Sequence, residues 1–206
     1  MRQRRLKIAI QKNGRLTEGS LHFLKSLNLD LNKPDNQLVH HCQNYPLDIF
    51  YVRDDDIITY VKYKAVDLGI VGENLLSERL DRVRILSKLN FGFCSLQVAV
   101  PKDSRIQTIE KLSGLTIATS YPKLTTLFFR KRNIPVHVLK VAGSSEVTIN
   151  LGLADAIAEV VSTGKTLNLH NLIPIQKILD SQAILISSIN TDHEKQLLID
   201  QLLEHE

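Results

Sequence analysis

Asp155-Ala-Ile-Ala-Glu-Val-Val-Ser-Thr-Gly-Lys-Thr166 reads as a short strand, a turn of small hydroxyl residues about Gly164, and the start of a helix. Asp155 and Glu159 are an even number of residues apart, so on a strand both carboxylates share one face, with Ile157 between them. Ser162, Thr163 and Thr166 offer hydroxyl donors, and Lys165 adds a mobile positive charge. Gly164 lets backbone N–H groups come close to a ligand. A helix opening just after it aims its positive end at an anion. Acceptors for sugar hydroxyls beside a phosphate cradle make this a candidate ribose-phosphate site. The same residues also fit a strand–turn–helix corner capped by Ser or Thr, a common feature of α/β proteins. A Walker A loop is excluded. That motif needs a glycine five residues before Gly164, and the chain has Glu159 there, a carboxylate that would repel the phosphates.

The rest of the chain repeats the same grammar. Leu6 to Ile10 reads as a first strand, Gln11-Lys-Asn-Gly-Arg15 as a turn, and Leu16 to Leu27 as a helix with Leu21, Phe23, Leu24 and Leu27. A turn between strand and helix often presents a ligand site, so Lys12 and Arg15 are candidate phosphate ligands. Solvated charges beside a helix start are the simpler alternative. Asp48 to Val52 reads as a strand ended by Arg53-Asp-Asp-Asp56, with Asp54 as a candidate N-cap of the helix that follows. Val66 to Gly72 reads as a strand, and Glu73-Asn74 open the next helix. Beyond Pro101, strands are expected at Leu115 to Thr119 and Val136 to Lys140, and helices at Tyr121 to Arg132, with Ser120 as cap, and Val147 to Leu151. Ala142-Gly-Ser-Ser-Glu146 forms a second small-residue turn. Ile173 to Ile178 and Ala183 to Ser188 read as return strands, and Asp192 to Leu203 as a terminal helix before the polar end Glu204-His-Glu206.

Strands alternating with helices predict an α/β protein with mainly parallel sheets. The chain leaves its first lobe near Phe91, builds a second, and returns. That assigns residues 1–91 with 179–206 to one lobe and 92–178 to the other, facing a cleft of the kind that holds small molecules. The 206 residues suffice for this, and no run is long and apolar enough to span a membrane. A net charge of +4 without a long basic run, and with few aromatics, argues for a small anionic ligand over nucleic acid. Cys42 and Cys94 have no metal-ligand spacing and read as buried free thiols of a reducing cytoplasm. His40 and His41 would face opposite ways on a strand.

Several stretches recur together in one family. Gln11-Lys-Asn-Gly-Arg-Leu16, Arg53-Asp-Asp-Asp-Ile57, Asp67-Leu-Gly-Ile-Val-Gly-Glu-Asn74, Ile117-Ala-Thr-Ser-Tyr-Pro122 and Gly152-Leu-Ala-Asp-Ala-Ile157 stand here in register. The strongest signature runs from Glu146 to Thr163-Gly-Lys-Thr-Leu167. On these stretches the sequence resembles ATP phosphoribosyltransferase, the first enzyme of histidine biosynthesis. Two departures stand out: Glu159 where the family usually has Asp, and Ile58 where relatives often have Pro, expected to alter only the helix start.

The resemblance implies a two-lobed, periplasmic-binding-protein-like (type II) fold with its active site in the inter-domain cleft. It implies transfer of the phosphoribosyl group of phosphoribosyl pyrophosphate to N1 of ATP, with Mg2+ held mainly by substrate phosphates. On that basis Ser162, Thr163, Gly164, Lys165 and Thr166 cradle the 5′-phosphate. Asp155, Glu159 and Glu146 meet the ribose hydroxyls. Lys12, Arg15 and Arg53 take phosphates of ATP or pyrophosphate. Asp67 and Glu73 serve magnesium-bound water or adenine. The chain resembles the short form, which implies a cytoplasmic homodimer working with a separate regulatory subunit similar to a histidyl-tRNA synthetase. A two-lobed binding module without catalysis is the alternative.

Overall fold

Consecutive apolar residues such as Ile8-Ala9-Ile10 are what a parallel strand covered on both faces requires. The computed structural model describes residues 5–31 and 38–204, so the first four residues of the charged start and the last two of the polar end lie outside the described residues. In chain order the elements are β1 (Leu6–Gln11), α1 (Thr17–Ser26), β2 (Val39–His41), β3 (Leu47–Val52), α2 (Asp54–Lys62), β4 (Leu68–Gly72), α3 (Glu73–Arg79), β5 (Arg84–Lys88) and β6 (Cys94–Pro101). A 3-10 turn (Ile109–Leu112) precedes β7 (Thr116–Thr119), α4 (Pro122–Arg130), β8 (His137–Lys140), α5 (Ser145–Asn150), β9 (Ala156–Val161), α6 (Lys165–Leu169), β10 (Leu172–Ser181), β11 (Ala183–Ser187) and α7 (His193–Leu203). The chain divides into two compact units, Met1–Gly92 with Gln182–Glu206, and Phe93–Ser181. None of the helices, among the described residues, is long and apolar enough to cross a membrane.

The first unit is built on a six-stranded sheet of order β2-β3-β1-β4-β11-β5. β1 runs parallel to both β3 and β4. Leu6, Ile8, Ile10, Leu68, Ile70 and Leu185 pack on one face with Leu24 of α1 and Leu202 of α7. Ala9, Val71, Ile184 and Ile186 pack on the other with Ile57, Ile58 and Val61 of α2. Neighbouring residues thus feed two opposite cores, the period of two along a strand, and each buried aliphatic side chain stabilises the fold by about 1.5–3 kcal/mol. Because the three central strands are parallel, their carboxyl ends, Gln11, Val52 and Gly72, share one edge of the sheet.

Local differences from the sequence reading have physical causes. Asp54 is the first helical residue of α2 and not its cap; Arg53 is the N-cap, with no side-chain cap bond. The three aspartates fill the first turn, where they suit the helix dipole. Ile58 lies inside α2 and is fully buried, so a proline there would remove an i to i−4 bond within the helix, beyond its start. His40 and His41 do face opposite ways: His40 is buried with Nε2 2.8 Å from Asp30 O, while Nδ1 of the more exposed His41 lies 2.8 Å from Asp48 Oδ1. Cys42 and Cys94 are buried and free, and burial pushes the Cys42 thiol up to about 11.

The ends of α2 and α3 are joined by ions. Asp81 accepts from Lys62 Nζ at 2.7 Å and from Arg79 Nε at 2.8 Å, and Arg79 Nη2 donates to Thr59 Oγ1 at 2.8 Å. To close this corner Leu80 takes a left-handed conformation, φ 59°, with its side chain 73% exposed. Leu80→Gly relieves that strain and loses little burial. The expected gain is about 0.5–1 kcal/mol, the strain relieved less the entropy of glycine. A thermal midpoint equal to or below that of the parent would contradict it.

The second unit carries a five-stranded sheet of order β10-β6-β9-β7-β8. β7, β8 and β9 are parallel, while β6 runs antiparallel to β9 and β10. Val98, Val100, Ile117, Ala156 and Ala158 pack against Phe128 and Phe129, whose rings meet edge to face at 5.2 Å. Ala99, Ala118 and Ile157 pack on the opposite face against Leu167 of α6. β10 is longer than the expected Ile173 to Ile178 and holds Pro174 beside a register shift. An edge strand tolerates this because one side of its backbone lacks a ladder partner. Ser120 does not cap α4: Tyr121 is the N-cap and Pro122 opens the helix.

Candidate active site

β9 delivers the chain to the turn Ser162–Gly164 at its carboxyl end, and α6 begins at Lys165. Gly164 is the N-cap, with φ 74° and ψ −2°, and no side chain caps the helix. The corner is therefore not the Ser- or Thr-capped one that the sequence also allowed. The first N–H groups of a helix have no intrahelical acceptor, and Gly164, as N-cap, brings no side chain to take them. They border a cavity of about 250 Å³ whose polar lining includes Ser144, Glu146, Glu159, Ser162, Thr163 and Thr166, with Gly164 and Lys165 also at its wall. That volume is below the range of roughly 300–1,000 Å³ typical of drug-sized ligands, and it suits a sugar phosphate.

Glu159 lies opposite the turn after β7. Its Oε1 accepts the Ser120 N–H at 2.8 Å. Burial pushes its carboxyl above the usual carboxylate range, against the Ser120 N–H and the dipoles of the Ser120 and Ser145 hydroxyls, which favour the ionised form. Ser145 Oγ is itself buried with no partner at ordinary hydrogen-bond distance, so it acts on the carboxylate from further off. Glu146 Oε1 lies 3.8 Å from His170 Nε2. Ser120, Ser145 and His170 carry no local signal as site residues; they meet Glu159 and Glu146 only through the parallel pairing of β7 with β9 and the packing of α5 and α6.

Asp155 is not brought to this cavity. It precedes β9, at the strand's other end, where its Oδ2 accepts the Thr116 N–H at 2.9 Å and its own N–H donates to Thr116 O at 2.9 Å. Even spacing determines the face of a strand but not the end. Four residues at about 3.3 Å each leave Asp155 roughly 13 Å from Glu159.

In the first unit, Lys12, Arg15, Arg53 and Glu73 all follow the shared carboxyl edge of β1, β3 and β4. The Lys12 N–H donates to Val52 O at 2.8 Å, which carries the β1–β3 ladder one step further and puts Lys12 beside Arg53. Gln11 Oε1 accepts the Leu16 N–H at 2.9 Å and shapes the turn that bears Arg15. Arg15 is exposed, and its Nη1 donates to Gly92 O. Glu73 is paired with Lys88 at 3.0 Å. Asp67 lies elsewhere. It is only 6% exposed, at the amino end of β4; Oδ2 accepts the Lys7 N–H at 2.8 Å and Oδ1 pairs with Lys195 at 2.6 Å. Its two oxygens stitch β1, β4 and α7 together, far along the strand from Glu73.

The sequence model of the family HisG: ATP phosphoribosyltransferase matches residues 53–205, well over half of the chain. The chain belongs to the HisG family. It is an ATP phosphoribosyltransferase, a pentosyltransferase of histidine biosynthesis. The match contains the Ser162–Thr166 turn and Arg53, and Lys12 and Arg15 lie before it. Among solved structures, the HisG chain is similar to the ATP phosphoribosyl transferase (HisG:HisZ) complex from Thermotoga maritima, at 24% identity and TM-score 0.81, covering 97% of this chain and 95% of that one. It is similar in fold to the alkanesulfonate-binding protein SsuA from Xanthomonas axonopodis pv. citri, at 16% identity and TM-score 0.64, covering 98% and 71%. A probable amino-acid ABC transporter extracellular-binding protein, ytmK from Bacillus subtilis, matches at 14% identity and TM-score 0.63, covering 97% and 90%. The type II binding-protein fold expected from the sequence is thus the fold of this HisG chain.

The burial of Glu159 has a consequence for stability. The folded state holds its proton more tightly than the unfolded state. Stability from this group is therefore full below the unfolded value of about 4.3 and is lost as pH rises through the raised folded value. Glu159→Gln removes the ionisation. The variant is expected to melt above the parent at neutral pH, with the two curves converging at about pH 4. Thermal melts across pH 4–8 check this, and an offset that does not vary with pH would contradict it.

Proposed function

We propose that the Ser162–Thr166 turn holds the 5′-phosphate of phosphoribosyl pyrophosphate and that Glu159 accepts from its ribose hydroxyls, with Glu146 beside it. Lys12, Arg15 and Arg53 take phosphate groups of ATP or of the departing pyrophosphate. Glu73 stays near them as a weaker contact, paired to Lys88. The reading rests on one observation: a helix that opens on Gly164 without a side-chain cap, beside a cavity lined with hydroxyls and a buried carboxylate.

In the reaction the C1–O bond to pyrophosphate breaks and its electron pair leaves with that group. The lone pair of adenine N1 forms the new bond to C1, giving N1-(5-phosphoribosyl)-ATP. Positive charge develops on the ribose, as in other glycosyl transfers, and the Glu159 carboxylate stabilises it while holding the hydroxyls in place. Negative charge grows on the leaving group, where the guanidinium of Arg15 is worth most. Adenine N1 carries no proton to remove, so no residue is assigned as a general base.

Among the described residues there is no group of three or more His, Cys, Asp or Glu able to hold a metal ion. The cavity wall carries two carboxylates, Glu146 and Glu159, and that pair fits Mg2+, which is commonly bound through one or two carboxylates with substrate phosphates and water. Glu159 and Glu146 are the carboxylates that would reach it. When bound, magnesium supplies charge stabilisation on the phosphates.

The likeness to a HisG:HisZ complex supports a separate regulatory subunit for this chain; we take that subunit to be similar to a histidyl-tRNA synthetase and the catalytic part to be a homodimer in the cytoplasm. Pyrophosphate release from ATP plus phosphoribosyl pyrophosphate with magnesium tests the reading, with the chain alone and with such a subunit. Release that needs both substrates is expected. No release in either arm from folded protein would overturn it.

A further inference from the structure

The geometry points to Gly72 and Gly92 as positioning residues for the reaction, forming a two-sided seat that fixes the Arg15 guanidinium. Gly72 ends β4, and Gly92 lies in the segment after β5, so the two come from separate stretches of the first unit. Arg15 Nη1 donates to Gly92 O. A Cβ added at Gly92 would lie 3.2 Å from Arg15 Nη1 and 2.4 Å from Leu16 Cδ2. A Cβ added at Gly72 would lie 3.2 Å from Arg15 Nη2 and 2.3 Å from Asn74 Oδ1. Both terminal nitrogens of the guanidinium thus rest against backbone that has no side chain to offer. Arginine has five N–H donors in a rigid fork. One of them is held by Gly92 O, the backbone of Gly72 lies close to the other terminal nitrogen, and the side chain remains exposed to a ligand. A long, flexible side chain held in this way meets a phosphate without first losing its rotamer freedom.

Neither glycine touches substrate in this account; each acts through Arg15, so the inference rests on the role proposed for Arg15. A misplacement on the order of 1 Å in a group that meets developing charge can cost about 10²-fold in rate. The two positions differ in one respect. Gly92 has φ 66°, so a side chain there strains the backbone as well. Gly72 has an ordinary extended conformation, φ −75° and ψ 136°, so a side chain there adds no backbone strain, and its pressure on Asn74 is cancelled by comparing the two Arg15 backgrounds.

The test is a double-mutant cycle on pyrophosphate release, in whichever assembly turns over, with thermal melts of every variant. Gly72→Ala and Gly92→Ala are each made in the parent and in Arg15→Ala. Each glycine variant is expected to lower kcat/KM by about tenfold or more when Arg15 is present, and by less than about twofold when it is absent. A glycine that merely keeps the fold intact would cost the same in both backgrounds, and that result, or no loss in the parent, overturns the inference. If Gly72→Ala fails to melt cooperatively, the Gly92→Ala pair decides by the same criterion. Full activity in Arg15→Ala would instead remove Arg15 from the reaction, which is a failure of the underlying reading and is distinguishable from a failure of the seat.

Discussion

Arg15→Ala lowers pyrophosphate release by roughly 10²-fold or more, a loss of about 2.7 kcal/mol of transition-state stabilisation, while the protein stays folded. The structure gives reasons for both halves of that expectation. Two other guanidiniums of the first unit are already committed: Arg5 to Asp48 at 2.7 Å, and Arg79 to Asp81 at 2.8 Å and Thr59 at 2.8 Å. Arg15 stands at the carboxyl edge of the parallel strands, exposed, and is held by a backbone carbonyl instead of a carboxylate. Its charge is therefore available to an incoming phosphate, and its removal leaves no buried anion without a partner. Steady-state kinetics with a thermal melt of the same sample measures both quantities. Unchanged turnover in a folded Arg15→Ala protein would remove this residue from the mechanism.

Gly164→Val abolishes binding of phosphoribosyl pyrophosphate and leaves ATP binding largely intact. The cause is the backbone. A Cβ at Gly164 would meet nothing within 4 Å, so there is no clash to relieve. But φ is 74°, a conformation that a β-branched residue essentially avoids, at a cost of about 1–2 kcal/mol. The turn reorganises to escape it, and the amides that open α6 no longer converge on the cavity. Gly164→Ala, with a smaller penalty, is expected to fall between the two. Calorimetric titration with each substrate separates the effects. Normal affinity for phosphoribosyl pyrophosphate in Gly164→Val would reject the turn as the phosphate cradle.

What could be read from the sequence was the set of strands and turns, because apolar runs and small-residue turns are local signals. The Ser162–Thr166 turn, the Arg53 corner and the strand leading to Glu73 stand where the pattern put them. What could not be read was which end of a strand a residue occupies and which distant group meets it. Asp155 shares a face with Glu159 and still sits by Thr116, 39 residues earlier, at the far end of β9. Asp67 belongs to a motif with Glu73, yet its carboxylate is taken by Lys195, 128 residues away. Ser120 looked like a helix cap, but its N–H serves Glu159 across the sheet. Each of these outcomes depends on strand pairing, which local pattern does not encode.

Glu159 stands where the sequence resemblance implies Asp, and its setting is well defined. The longer side chain reaches the Ser120 N–H while its carboxylate remains at the cavity wall. The raised proton affinity is a stability cost of holding that carboxylate in a buried position.

A crystal soaked with phosphoribosyl pyrophosphate and magnesium tests the central assignment most directly. The account predicts the 5′-phosphate within hydrogen-bonding distance of the backbone amides from Thr163 to Thr166, with the ribose hydroxyls facing Glu159. A phosphoribosyl group bound at any other place, with the Gly164 turn left open to solvent, would contradict it.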